Sequence, residues 1–194
     1  SKKKQMKNFH KLLFLIFANL ILISSVQSKT YYVNALTGSN SNTSSQAQNI
    51  ATPWQTVAYA VTNAAIINGD NIVVAEGTYA GFELFKRVNI IGVWKDSDPG
   101  KNTIFNSTIT LRAGTGNADK RMVLKNLRVA VTANDAIDVR ESFITLENVY
   151  ASSSANGFNG IRFNGSLLTD IVIESCNFDN SNKAGMYFPT TTGI

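Results

Sequence analysis

The chain has 194 residues, and its 18 Lys and Arg against 13 Asp and Glu give a formal charge of +5. Five of those Lys and none of the acids fall within residues 1–28, so the remainder carries 13 basic and 13 acidic residues and is neutral. The charge therefore gives no support for nucleic-acid binding, which requires a basic face; the only histidine, His10, also lies in this segment, which excludes a Ser-His-Asp triad or a His-bound zinc elsewhere.

Residues 1–28 have a basic start (Lys7, Lys11), an apolar run from Leu12 to Ile23, and a small-residue end with Val26 and Ser28 at the cleavage positions. This is the layout of a secretory signal, with Ser1–Gln5 as a short upstream extension, and it implies a secreted or cell-surface protein. A membrane anchor is the alternative, but the 12-residue run is short against the roughly 20 residues that span a bilayer. No stable membrane insertion is therefore expected after cleavage. Residues 29–194 suffice for one core.

Tyr31 to Val33 reads as a short strand, and the Ser/Asn/Thr/Gln stretch Thr37–Asn49 as a surface loop. "TPWQ" then suggests a helix from Pro53 to Ile66, with Thr52 as N-cap and Gln55 completing a capping box. Trp54, Val57, Ala58, Val61 and Ala65 give it one apolar face, and Asn68–Asp70 stops it. Beyond that point, strand-like runs of three to six residues alternate with Gly, Asn, Asp and Ser.

Two motifs repeat in these runs. "RMVLKNLRV" (Arg121), "FITLENVYA" (Phe143) and "DIVIESCNF" (Asp170) share an Asn- or Ser-centred double alternation. "TITLR" (Thr108), "AIDVR" (Ala136), "GIRFN" (Gly160) and "GMYFP" (Gly185) share a small or polar residue before two inward apolar positions, at steps of 28, 24 and 25 residues. Two motifs in fixed alternation define one repeated unit. A helix-free unit of about 25 residues is a coil of a parallel β-helix. Stacking aligns Ile137, Val139, Ile161, Phe163, Met186 and Phe188 in one inner column, and places Asn126, Asn148 and Ser175 at one tight corner where side chains bond from turn to turn. An antiparallel sandwich also uses many short strands, but it predicts no shared register. The lone Cys176 rules out a disulfide framework and reads as a small buried hydrophobe.

"YYVNALTGSN", "ATPWQTVAYAVTNAA", "GDNIVVAEGTY" and the coils "VLKNLRV" and "ITLENVYA" together resemble the pectate-lyase-like right-handed β-helix superfamily. The resemblance covers essentially all of residues 31–194. It implies an all-β, right-handed parallel β-helix in which the amphipathic helix caps the N-terminal end. It is loose for activity, since the superfamily hosts lyases, hydrolases, epimerases and non-catalytic surface proteins.

In such proteins polysaccharide binds along the outer face of one sheet. The alternation within the Thr108, Ala136, Gly160 and Gly185 strands aims Thr110, Asp138, Arg162 and Tyr187 outward, and beside them Arg112, Arg140, Asn164 and Pro189. Arginines suit a sugar carboxylate, and Tyr187 can cover a ring face, so an acidic polysaccharide is the expected partner. β-Elimination of a uronate needs its carboxylate neutralised and a base at the ring C5 proton. The resemblance implies Ca²⁺ for the first, with Asp138 and Asp135 as candidate ligands, and Arg162 or Arg140 as candidate base; Arg112, Thr110, Asn164 and Tyr187 are candidate substrate-binding residues. None of the superfamily's full catalytic motifs is present. The competing reading is a solvated salt-bridge ladder. A hydrolase, which needs two carboxylates flanking the bond, ranks below a lyase because this strip shows one strongly placed Asp.

"KDSDPGKN" (Lys95–Asn102) has a faint Ca²⁺-loop pattern but lacks the distal Glu and reads as a turn between coils. "RAGTGNADKR" (Arg112–Arg121) lacks a phosphate-loop Lys and reads as a loop. "SSSANG" (Ser152–Gly157) and "NSNK" (Asn180–Lys183) read as loops flanking the strip. The leading expectation is a lyase acting on a uronate-containing glycan. The alternatives are a non-catalytic surface or adhesion protein that binds glycan, and a structural β-helix segment without a ligand. The chain stops at "PTTTGI" without a polar cap, so further coils are expected to follow, with a monomer as the full-length form.

Overall fold

A computed structural model describes residues 27–112, 120–165, 168–180 and 185–188. The signal assignment for residues 1–26, most of "RAGTGNADKR", and Pro189 lie outside them. The strands in chain order are β1 (Thr30–Val33), β2 (Asn71–Val74), β3 (Gly77–Tyr79), β4 (Glu83–Leu84), β5 (Asn89–Ile91), β6 (Thr103–Phe105), β7 (Ile109–Leu111), β8 (Met122–Val131), β9 (Ile137–Val139), β10 (Ile144–Ser153), β11 (Ile161–Phe163), β12 (Ile171–Glu174), β13 (Asn177–Asn180) and β14 (Met186–Tyr187). Every pairing between them is parallel. They form a nine-stranded sheet A and a five-stranded sheet B, ordered β4-β7-β9-β11-β14. The result is a parallel β-solenoid of about four turns, and the sandwich is excluded.

The expected register holds on both sheets. Met122, Ile144 and Ile171 are rung partners, and so are Ile109, Ile137, Ile161 and Met186. Tyr31, Ile72, Ile90, Leu124, Leu146 and Ile173 run up the inside of sheet A as one column, and the first five are fully buried. At the rung spacing of about 4.8 Å each side chain packs on its copies above and below, so the core is continuous though no coil could close one alone. Ile137, Val139 and Ile161 are fully buried as expected, whereas Phe188 is 61% exposed. Its ring stacks on Phe163 at 4.4 Å.

Sheet A is bent by its asparagines. In β8 and β10 the inward alternation breaks once, at Lys125–Asn126 and Glu147–Asn148. Asn126 and Asn148 hold φ of 56° and 52°, and Ser175 repeats this one turn on at 52°. Asn is among the few residues that adopt this left-handed conformation readily. It turns each strand through a corner, so Leu124 and Leu127 both face inward although three residues apart. The Asn148 Nδ2 group donates to Asn126 Oδ1 at 3.0 Å, the turn-to-turn bond expected of stacked corners. We expect Asn148→Ala to cost about 1.5–3 kcal/mol, from a strained φ plus a lost hydrogen bond. Asn148→Gly, which relieves the φ alone, should cost less; equal urea midpoints for the two variants would count against the strain argument.

One turn earlier the corner is Gly92, where a Cβ would stand 2.5 Å from the Asn126 carbonyl oxygen. From it the chain leaves the coil as an excursion, Val93–Asn102, rather than turning between coils as "KDSDPGKN" suggested. It rejoins at Thr103, whose amide donates to the Val93 carbonyl at 2.9 Å while its Oγ1 accepts from the Val93 amide at 2.8 Å. β5 and β6 pair with β8 on either side of this excursion.

The helix is shorter than expected. α1 spans Val57–Thr62, and its N-cap is Thr56, whose hydroxyl accepts from the Tyr59 amide. Thr52 and Pro53 do not start it, because Trp54 is extended, bridged to Val33 and stacked on Tyr31. Tertiary packing thus overrides an apparent capping box. Val57, Ala60 and Val61 are its buried residues. A single 3₁₀ turn, Gln46–Gln48, interrupts the Thr37–Asn49 loop and buries Ala47. Cys176 is half-buried, and burial pushes its thiol pKa up. Among the described residues no helix is long and apolar enough to cross a membrane.

Candidate functional site

Sheet B brings four of the expected site residues onto one outward column. Thr110, Asp138, Arg162 and Tyr187 are successive rung partners. Glu83 extends the column by one rung, opposite Thr110, and sequence reasoning missed it. The signal was present: "GFELF" (Gly81–Phe85) follows the same small-then-alternating pattern as "GIRFN". Arg112 and Arg140 follow β7 and β9 directly, Asn164 follows β11, and Phe85, 48% exposed, follows β4.

Each arginine of the strip is held by a carboxylate. Arg140 Nε donates to Asp138 Oδ2 at 2.7 Å, Arg112 Nε lies 3.1 Å from Glu83 Oε1, and Arg162 Nη1 lies 3.6 Å from Asp135 Oδ2. Asp138 therefore pairs along its own strand and not with its rung neighbour Arg162. Although alternation aims it outward, it is only 8% exposed, and its Oδ1 has no partner. Asp135, 7% exposed, accepts at Oδ1 from the Asn159 amide and from Asn159 Nδ2, both at 2.7 Å. The hydrogen bond to Asp138 raises the Arg140 pKa above its ordinary value.

The strip balances three guanidinium groups against Glu83, Asp135 and Asp138. A sugar carboxylate can compete for the more exposed arginines, since ion pairs of this exposure are individually weak. Arg162 is the more accessible of the two base candidates: its side chain is 40% exposed against 35% for Arg140, and its ion pair is the longer. Beside Glu83 and Thr110 opens a shallow cleft of about 460 Å³, lined also by Gly81, Asn106, Ser107 and Asn134. Its amides and hydroxyls suit the hydroxyl groups of a saccharide.

The fit of Ca²⁺ is poor from these side chains alone. The ion takes six to eight oxygens, whereas Asp138 Oδ1 is the only oxygen of Asp135 and Asp138 left without a partner. Among the described residues no three His, Cys, Asp or Glu side chains cluster to hold a metal. The loops meant to flank the strip divide: Ser152 and Ser153 end β10, and residues 181–184 lie outside the described residues.

Compared with protein-family models, curated proteins and solved structures, the chain matches none. Its class is therefore given by its own strand pairing, that of a parallel β-solenoid.

Proposed function

We propose that the protein is a secreted polysaccharide-active β-helix that lays an acidic glycan along the outer face of sheet B and cleaves it by β-elimination. The observation that carries this reading is the unbroken outward column Glu83, Thr110, Asp138, Arg162 and Tyr187, flanked by arginines and a polar cleft. In the proposed step a base removes the uronate C5 proton, the freed electron pair forms the C4–C5 double bond, and the C4–O bond breaks. Arg162 is assigned as that base, because its side chain is the more exposed of the two candidates and its ion pair, 3.6 Å to Asp135, is the longer. Tyr187, 41% exposed, is assigned to a sugar ring face. In this reading residues 1–28 direct export, α1 closes the N-terminal end of the stack, and the coils wind right-handed as nearly all parallel crossovers do.

One observation favours a second reading, a non-catalytic surface protein that binds glycan: every strip guanidinium is already paired. The deciding experiment incubates the mature protein with polygalacturonate, alginate or chondroitin, with and without Ca²⁺, and reads the ultraviolet absorbance of the unsaturated product. Product that disappears in Arg162→Ala supports the lyase. Binding without product supports the second reading, and neither binding nor product overturns both.

A further inference from the structure

The outer face of sheet A beyond the asparagine corner carries a second candidate site. Among the described residues, Arg87, Arg112, Arg121, Arg140 and Arg162 each lie within 4.0 Å of a carboxylate, and Arg128 alone does not. Its guanidinium lies over the ring of its rung partner Tyr150, 4.9 Å from the centroid, and its Nε is buried without a hydrogen-bond partner. The Arg128 side chain donates no hydrogen bond to a described residue, so its guanidinium is uncommitted. Such a group matches a carboxylate in bidentate fashion.

The excursion Val93–Asn102 supplies the wall. Its Trp94 is partly buried, and the indole N–H donates to Asp96 Oδ1 at 2.5 Å. The base of the excursion is pinned by buried Asn102, whose Oδ1 accepts from the Lys95 amide at 2.6 Å, and by the Lys95–Glu76 pair at 2.9 Å. Trp94, Arg128 and Tyr150 line one cavity of about 270 Å³. It continues past Arg128 and Tyr150 into another of about 350 Å³ that holds Ser152, Ser154 and Asp179.

We infer that this groove is an anionic-sugar subsite, in which Arg128 takes a uronate carboxylate while Trp94 and Tyr150 flank the sugar ring. Charge complementarity selects the occupant: the groove presents the one guanidinium not already neutralised. Asp96 is engaged by the Trp94 indole, and Asp179 accepts from the Tyr150 hydroxyl at 3.5 Å; both are placed to accept from sugar hydroxyls. The ligand class rests on the acidic-glycan reading above, but the site is on another sheet and does not depend on cleavage.

The chain has two tryptophans. Trp54 is fully buried, so a ligand-induced change in fluorescence reports Trp94. Titration with trigalacturonate should shift that emission, and its neutral methyl ester should not. Arg128→Met keeps the apolar stem over Tyr150 and should weaken binding at least about tenfold, the effect of one charge-assisted hydrogen bond. Arg128→Lys, with charge but no fork, should fall between, and matching urea midpoints establish that the variants are folded. Arg162→Ala should leave the Trp94 signal intact whether or not it abolishes product, which separates this site from the sheet B strip. No shift with trigalacturonate, equal binding of the methyl ester, unaltered binding by Arg128→Met, or loss of the signal in Arg162→Ala would each overturn the inference.

Discussion

Trp54→Ala is expected to lower the unfolding free energy by about 3–5 kcal/mol, the range for truncating a fully buried Trp. The ring is inaccessible to solvent, stacks on Tyr31 at 5.3 Å and 6°, and meets Tyr59 edge-on at 5.6 Å. Its indole N–H donates to the Asn42 carbonyl at 2.8 Å, which ties the polar 37–49 loop to the first rung. The Trp54 amide and carbonyl also bond Tyr32 and Asn34 at 2.9 Å each. Truncation therefore leaves both a cavity and an unpaired Asn42 carbonyl beside β1. Urea unfolding followed by circular dichroism measures the loss, and a value under about 1 kcal/mol would mean the Trp54 contacts contribute little.

Leu146→Ala should cost about 2–5 kcal/mol, because its side chain is fully buried between rung partners Leu124 and Ile173. Ile173→Ala, in the same column but half-buried, should cost well below that. The difference follows from how a solenoid is stabilised: each coil interacts with its two neighbours, so the penalty scales with how completely those neighbours enclose the side chain. Equal urea midpoints for the two variants would refute the nearest-neighbour account.

What the sequence made legible was register. A period-two alternation that recurs at a near-constant step can be satisfied only if its copies stack, and the partners Met122, Ile144 and Ile171 follow from that. The asparagine corners were legible for a related reason, since a left-handed turn inside an apolar run leaves few residue types to occupy it. The helix start was not, because Thr52, Pro53 and Gln55 satisfy a local rule that the contact of Trp54 with Tyr31 overrides. Outward orientation was legible, but the partners of the outward charges were not. Asp138 and Arg162 face each other across a rung, yet side-chain length lets Arg140 reach Asp138 and sends Arg162 to Asp135. The Arg128–Tyr150 stack escaped notice because the Asn-centred motif was read for its inward residues alone. Its outward positions carry a charge ladder as well, with Lys125 Nζ donating to Glu147 Oε1 at 2.6 Å.

The departure at Gly92 bears on how such a chain can change over time. The rungs on its two sides are registered independently, Asn89–Ile91 against Val123–Lys125 and Ile104–Phe105 against Arg128–Val129. Residues added at exposed Ser97 leave both pairings in register, and lengthening such a surface loop costs little entropy. A single corner can thus admit longer segments, while the asparagine corners that follow it keep their own register.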